Sequence, residues 1–206
     1  MRWESLFDDM ESQLEQELTA EDEQLRAEEE RLRLGRLTMR SRLAALSGDG
    51  PDAGGGLLRL ELRSGALVTV RALTFGRDWL AGELGRAGGQ GTQCVIPLAA
   101  VSGVLLDPDG IHRSLAEQPA APARLAERIG LAFVLRDLCR RRAHVELDCG
   151  PRPSGAPWLL HGTIDRVGRD HCDLALHEPG TPRRESLVTG YRLVPFEQIM
   201  MLRVAG

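Results

Sequence analysis

Histidine and cysteine side chains gather near the C-terminal end of the sequence, where such residues could bind a metal ion. His161, His171, Cys172 and His177 follow one another closely. A zinc site usually takes about four ligands in short paired spacings, yet the sequence has no C-x-x-C pair. His171 and Cys172 are neighbours, so on a strand they would face opposite sides. The pattern favours histidines in loops or on the surface, and we predict neither a metal nor a cofactor.

Four scattered cysteines are the candidate nucleophiles: Cys94, Cys139, Cys149 and Cys172. Cys94 and Cys172 fall in predicted strands, and Cys139 falls in an apolar predicted helix. A thiol in such a place is most often a small buried hydrophobe, and burial opposes the lowered pKa that a reactive thiol needs. We therefore expect no catalytic cysteine.

Two other patterns could carry chemistry but are more typical of turns. Asp165, Asp170 and Asp173 surround a predicted turn, where Asp commonly caps the backbone. Residues 85–91 are rich in glycine, but they lack the Lys-Ser/Thr pair of a phosphate-binding loop. We expect a protein that is not an enzyme and has no small-molecule substrate.

An apolar stripe opens the sequence on an otherwise acidic segment. Trp3, Phe7, Met10 and Leu14 step by three and four residues, which is the spacing of one helix face. Chain ends usually fray, so aromatic residues there are expected to be covered by the protein's own body, by a second subunit or by another protein. An acidic helix with such a stripe is also typical of helices that dock into a partner's groove. These four residues are the predicted partner-binding residues.

A sparser apolar repeat follows the stripe. Its five members stand at every seventh position: Leu18, Leu25, Leu32, Met39 and Leu46. The alternate heptad positions hold Glu21, Glu28 and Arg42, whereas a coiled-coil seam needs apolar residues at both positions. Two interpretations stay open, a coiled coil or dimer contact and a solvated helix that docks through a few leucines.

The charge is unevenly distributed along the 206 residues. Residues 1–47 carry 12 acidic residues and 7 Arg, and residues 48–206 carry 18 acidic residues and 19 Arg. The nearly neutral body is no general electrostatic trap for nucleic acid. No apolar run is long enough to span a membrane, and the acidic start is unlike a signal peptide. We therefore expect a cytoplasmic protein without a membrane partner. The chain has neither Lys nor Asn, which indicates a gene from a G+C-rich bacterium.

The pattern changes divide the chain into five segments. They are an acidic N-terminal helix over 1–47, a glycine-rich linker over 48–56, a first small β-barrel over 57–106, a connector and helix over 107–142, and a second small β-barrel over 143–206. Polar and apolar residues alternate with period two in both β segments, as in half-buried strands. The predicted fold class is α+β, mostly β.

The second β segment repeats the first. Residues 167–170 (Val-Gly-Arg-Asp) match residues 75–78 (Phe-Gly-Arg-Asp), and residues 193–199 match residues 95–101 around a shared Pro. Two matched anchors in the same order predict an internal duplication. Chance similarity between two generic β meanders is the alternative.

The second segment also resembles an Sm-like, SH3-type small barrel. The resemblance rests on the spacing of Val145, Leu160-x-Gly162-x-Ile164 and the closing Leu193-Val194-Pro195-Phe196. It implies an antiparallel sheet of five bent strands that curls on itself, with the glycine at a bend. The first segment has Val70 where the second has Gly162. The whole chain resembles an uncharacterised conserved family of high-G+C Gram-positive bacteria, which implies no particular function.

The Sm resemblance implies a set of possible RNA contacts in the loops. Arg169, Arg183 and Arg184 stand in loops where Sm-like proteins contact RNA phosphates, although the usual Asn is missing. The first hypothesis for function is a non-enzymatic adaptor that binds a protein or self-associates through its N-terminal helix. The alternative is an Sm-like RNA-binding protein.

Overall fold

The chain forms two compact units, Met1–Met39 and Arg40–Gly206. The computed structural model describes the backbone of most of the chain. Within the ranges given next, it describes side chains for Met10 and for the residues from 13 onward. The described ranges are 2–48, 56–85, 91–116, 125–152 and 154–204.

Helix α1 (Arg2–Arg36) makes up most of the first unit. Its sequence is rich in Glu, Leu, Gln and Arg and has no Pro, and straight-chain residues of this kind lose little rotamer freedom in a helix. Gly35 stands at its end, and the Leu37 amide donates to the Leu34 carbonyl at 3.1 Å in a tight final turn. The predicted single helix over 1–47 is therefore two helices.

Helix α2 (Met39–Ser47) belongs mostly to the second unit. Leu43 is only 1% exposed, and Leu46 packs against the same core. The fifth member of the seven-residue repeat is thus a core residue of the body. Residues 49–55 of the predicted linker lie outside the described residues. At its far end the Gly56 amide donates to the Ser47 carbonyl at 3.1 Å.

The described residues of the first β segment form five strands, in agreement with the alternation of polar and apolar residues there. They are β1 (Leu57–Leu62), β2 (Leu67–Phe75), β3 (Trp79–Leu84), β4 (Thr92–Pro97) and β5 (Val101–Leu105). A single 3-10 turn, Leu98–Ala100, separates β4 from β5.

The described residues between the β segments form three helices, where the sequence predicted a connector and one helix. They are α3 (Pro108–Leu115), α4 (Leu125–Arg128) and α5 (Leu131–Arg140). The unpredicted α3 begins at Asp107, whose side chain accepts from the Gly110 amide at 2.6 Å, with Pro108 at the first helical position. An Asp-Pro pair is a recognised helix start, so the signal was present in the sequence.

The second β segment again contains five strands. They are β6 (His144–Pro151), β7 (Pro157–Val167), β8 (His171–Leu176), β9 (Gly190–Pro195) and β10 (Met201–Val204). Another 3-10 turn, Phe196–Gln198, follows β9.

All ten strands join in one antiparallel sheet, in the order β5-β1-β2-β3-β4-β10-β6-β7-β8-β9. The prediction of two separate barrels is wrong in this respect, because β10 pairs with β6 on one side and with β4 on the other. The sheet is also not closed: β5 and β9 are its two edges. Each half nevertheless has its fifth strand beside its first strand.

Two hydrophobic cores lie along this sheet. The first is formed by β1–β5 with α2, and the second by β6–β10 with α5. Strand β10 contributes to both, since Met201 is buried in the first core and Leu202 in the second. Strand β4 does the same, with Ile96 in the first core and Val95 in the second. Alternate residues of a strand point to opposite faces, so these two adjacent strands tie the cores together.

Close strand packing in each half requires one glycine. A Cβ at Gly162 on β7 would lie 2.2 Å from the Ala175 carbonyl oxygen, and a Cβ at Gly82 on β3 would lie 2.1 Å from the Arg71 carbonyl oxygen. The first half therefore has its own packing glycine, on the neighbouring strand rather than at the Val70 position.

Candidate interaction surfaces

The N-terminal stripe lies on α1, but the side chains of Trp3 and Phe7 lie outside the described residues. Met10 and Leu14 are described, and both are exposed. They remain candidates for partner binding, because covering exposed apolar side chains with a partner is favourable in free energy.

The seven-residue repeat continues this apolar surface along α1. Leu18, Leu25 and Leu32 are 56%, 59% and 58% exposed. Three large leucines at one angular position form an apolar ridge on a polar helix, and this ridge is the main candidate interaction surface of the first unit.

Acidic residues flank the ridge. Helix α1 carries 12 acidic residues and 5 Arg, and Glu21 and Glu28 occupy the alternate heptad positions beside the leucines. One carboxylate is neutralised locally: Arg33 hydrogen-bonds Glu30 at 2.6 Å and lowers the pKa of that carboxyl. The helix surface remains strongly negative, and a complementary partner would be basic.

The three predicted RNA contacts have different surroundings in the structure. Arg183 Nε donates to Asp165 Oδ1 at 2.8 Å, and its second nitrogen donates to the other carboxylate oxygen. This bidentate pair raises the pKa of Arg183, uses two of its five N–H donors and offsets its charge, which makes Arg183 a weaker phosphate contact than a free arginine. Arg169 and Arg184 are exposed on their loops. A surface cavity includes Arg183 and Asp165 in its lining but neither of the other two arginines.

Three histidines line a different cavity, beside β6 and β7: His144, His161 and His177. His177 follows β8 in a loop, although its side chain is buried, and its Nε2 lies 2.9 Å from the Thr163 hydroxyl. His161 faces Glu146 across the strand pair, with Nδ1 and the carboxylate 3.5 Å apart. In the part of the chain that the structure describes, no His, Cys, Asp or Glu cluster has metal-binding geometry. His144 was missed, because its proximity to His177 depends on the strand register.

The four cysteines considered as candidate nucleophiles lie in the cores or, for Cys139, against one of them. Cys94, Cys149 and Cys172 are buried, and Cys139 is half-buried. Burial raises the pKa of the Cys94 and Cys149 thiols to about 11 and that of Cys172 to about 12. The neutral thiols are weak nucleophiles near neutral pH, and they act there as small apolar side chains.

The matched turns of the two β segments have the same backbone hydrogen bonds. The Gly76 amide donates to the Trp79 carbonyl and the Gly168 amide to the His171 carbonyl, each at 2.8 Å. Asp78 and Asp170 each accept, through the main-chain oxygen, from the first residue after the strand-ending Pro. The two sequence anchors therefore have one local geometry.

Comparison with known proteins identifies no relative, since the chain matches no protein-family model, no curated protein and no solved structure. The resemblance to a conserved family of high-G+C bacteria stays a prediction, and so does cytoplasmic localisation. None of the helices in the described ranges is long and apolar enough to cross a membrane.

Proposed function

We propose that this protein is a non-enzymatic adaptor whose helix α1 binds a basic amphipathic helix of a partner protein. The observation that supports this most is the exposed leucine ridge at Leu18, Leu25 and Leu32. Its apolar side chains stand at seven-residue spacing on a helix that carries a large excess of carboxylates.

The acidic residues beside the leucine ridge favour binding of a different protein over binding of a second copy of α1. In a parallel pair of α1 helices, Glu21 and Glu28 of one copy would stand opposite the same residues of the other. Like charges at such positions are destabilising. A partner helix with Arg or Lys at these positions would turn the repulsion into attraction, while its apolar residues cover the leucines. A heterotypic complex is therefore favoured over a homodimer through α1.

A designed peptide tests this proposal directly. The probe is a helical peptide with Leu at every seventh position and Arg at the positions that face Glu21 and Glu28. We expect the full chain to bind it, and higher salt to weaken binding because the charges are exposed. An otherwise identical peptide with Glu in place of Arg should not bind.

Variants of the full chain locate the contact. The triple substitution Leu18→Ala, Leu25→Ala and Leu32→Ala keeps helix propensity and should abolish peptide binding. Leu34→Ala is the matched control, because Leu34 lies off the ridge on the same helix. Equal peptide binding by the triple variant and the control would refute the proposal.

RNA binding is a second candidate, supported by the exposed Arg169 and Arg184 side chains. The pairing of Arg183 with Asp165 and the nearly neutral body argue against it. Phosphate contacts weaken steeply with salt, so RNA affinity that falls with salt and is lost in the Arg169→Ala, Arg184→Ala double variant would favour this candidate over the adaptor.

We further propose that the sheet derives from two duplicated Sm-like units. The same relative strand order, the matched turns and the 3-10 turn before each fifth strand support a common origin. The duplicated units would then have fused along strands β4 and β10 into one sheet.

A further inference from the structure

The two short helices that precede β6 carry a concentration of exposed positive charge. Residues 125–142, which contain α4 and α5, have five Arg and two acidic residues. All five arginines are exposed: Arg128, Arg136, Arg140, Arg141 and Arg142. Both carboxylates are already paired, since Glu127 lies 3.4 Å from Arg40 and Asp137 lies 2.6 Å from Arg140. This surface is therefore basic, although the body as a whole is nearly neutral.

An exposed aromatic side chain stands among these charges on α5. Phe133 is 59% exposed. Arg136 and Arg140 follow it by three and seven residues, which places all three on one stripe of the helix. The opposite side of α5 is occupied by Leu131 and Leu135, which are buried in the second core. The α5 face, defined by Phe133, Arg136 and Arg140, thus combines one apolar contact with positive charge.

The end of α5 has an arginine where glycine is usual. Arg142 has a φ of 51°, and its amide donates to the Cys139 carbonyl at 3.0 Å. Among the residues that the structure describes, it is the only non-glycine residue with a positive φ. Charge at a helix C-terminus is favourable, but it does not require a side chain in this left-handed conformation. Residues with such backbone strain are concentrated at functional surfaces, which supports a binding role for this cluster.

We propose that helix α1 of one copy of this protein docks on the α5 face of a second copy, so that two copies exchange their N-terminal helices. Phe133 would pack between two leucines of the ridge on α1. Arg136 and Arg140 lie on the same stripe, so they would face the carboxylates that flank the ridge. This inference rests on the proposed function, because it assigns a second contact to the same leucine ridge.

A second copy is the occupant that the charges favour. Two α1 helices repel each other, whereas α1, with 12 acidic residues and 5 Arg, is opposite in charge to the α5 face. A two-fold exchange places each α1 on the α5 of the other copy, so every dimer contains the contact twice. Helix α5 has ten residues and is about 15 Å long, which is enough to span two leucines seven residues apart.

The exchange would compete with the partner contact of the adaptor. A basic helix of another protein and the α5 face would bind the same leucine ridge, so the two contacts exclude each other. Partner binding would therefore dissociate the exchanged dimer, and self-association would limit how much of α1 is free to bind.

The mass of the full chain in solution, measured by sedimentation at increasing concentration, tests the exchange. We expect self-association, and the double substitution Arg136→Glu, Arg140→Glu should weaken it roughly tenfold or more, because like charges would then face α1. The matched control is Arg59→Glu, Arg71→Glu, at exposed positions of β1 and β2. A monomer at high micromolar concentration, or equal association of the two double variants, would overturn the proposal.

A charge exchange tests direct contact between α1 and α5. The double substitution Glu21→Arg, Glu28→Arg should weaken self-association when it is made alone. Combining it with Arg136→Glu, Arg140→Glu in one chain should restore association, because the charges are again opposite. A loss caused by local misfolding would not be restored in this way. Failure of the combined variant to associate better than either double variant would contradict the contact.

The apolar part of the contact is tested at Phe133. Phe133→Ala should weaken self-association at least severalfold, because the contact covers this side chain. Leu73→Ala is the matched control, since Leu73 on β2 is 58% exposed, close to the 59% of Phe133. Equal association of the two variants would contradict burial of Phe133 between the copies.

The designed basic peptide separates this inference from the adaptor proposal. The peptide should dissociate the dimer, and it should still bind the Arg136→Glu, Arg140→Glu variant. Peptide binding by a parent chain that is always monomeric would overturn the exchange alone. Absence of peptide binding in a chain that self-associates through the α5 face would refute the adaptor proposal alone. Loss of RNA binding in this variant, with self-association unchanged, would assign the α5 face to nucleic acid and overturn the exchange.

Discussion

At the scale of single residues, side chains at matched positions of the two β segments make different contacts. Asp78 Oδ1 accepts from the Leu131 amide at 2.8 Å, at the first residue of α5. Asp170 stands at the same place in the second turn, but its carboxylate lies 2.8 Å from His171 Nδ1 on the surface. The turn of the first half therefore positions a helix of the connector, whereas the matching turn of the second half makes no such bond through its Asp side chain.

The Asp78→Ala substitution should lower the free energy of unfolding by about 1 kcal/mol, as for other carboxylates that cap a helix start. Asp170→Ala, at the exposed matching position, should change it by less than about 0.5 kcal/mol. Urea denaturation of both variants and the parent measures the difference. Equal losses would mean that the bond from Asp78 to α5 contributes nothing to stability.

The four thiols should make the stability of the protein sensitive to alkali. Their pKa values are raised by burial, to about 11 for Cys94 and Cys149 and about 12 for Cys172. Thiols of the unfolded chain ionise from about pH 9, so the unfolded state loses protons that the folded state keeps. The resulting stability is complete below pH 9 and is lost as pH rises through 11 to 12.

We therefore expect the free energy of unfolding to fall between pH 9 and pH 12, by at most about 1.4 kcal/mol per pH unit for each thiol. The chain has no Lys and one Tyr, so cysteines dominate side-chain titration in this range. Replacing the buried Cys172 by Ala should make the decline shallower. A decline of the same slope would assign it to other groups.

At the scale of elements, α2 is the part of the N-terminal segment that the body needs. Leu43 is fully buried among Leu58 and Leu60 in the first core. Ser47 is buried as well, and its hydroxyl donates to the Leu43 carbonyl at 3.0 Å. A cut within the glycine-rich segment would remove this helix from its core.

A fragment that begins at Arg40 should fold with nearly the stability of the full chain, because it keeps α2. A fragment that begins at Leu57 should lose at least the about 2–5 kcal/mol typical of emptying a buried leucine site. Thermal and urea unfolding of the two fragments compares them. Equal stability would show that α2 adds nothing to the body.

At the scale of the whole molecule, β10 joins two cores that would otherwise be separate. Its side chains alternate between the two cores, and it pairs with β4. A substitution that destabilises one core should therefore also destabilise the other. The body should accordingly unfold in one cooperative transition.

Met201→Ala tests this coupling, since Met201 packs in the first core. The substitution should cost about 2–5 kcal/mol and should raise amide hydrogen exchange in β8 of the second half as well as in β2 of the first. Faster exchange in β2 with β8 unchanged would mean that the halves unfold independently.

The sequence by itself determined most of the local elements. Alternation of period two indicated strands in both β segments, because a half-buried strand must place apolar side chains on one face. The spacing of three and four residues likewise predicted α1, and the repeated Phe/Val-Gly-Arg-Asp sequence forms turns with the same backbone hydrogen bonds at Gly76 and Gly168. These features depend on neighbours along the chain, so they can be inferred from a short window of residues.

Only the tertiary structure decided how these elements meet. The pairing of Leu202 with Val95 joins residues far apart in the chain, and no local pattern distinguishes an edge strand from one that finds such a partner. The same long-range contacts pack Leu46 against a core, whereas Leu18, Leu25 and Leu32 are exposed, although all four share one repeat. The pairing of Arg183 with Asp165 could not be predicted from the sequence either, because side-chain partners across a fold are set by the packing of the whole chain.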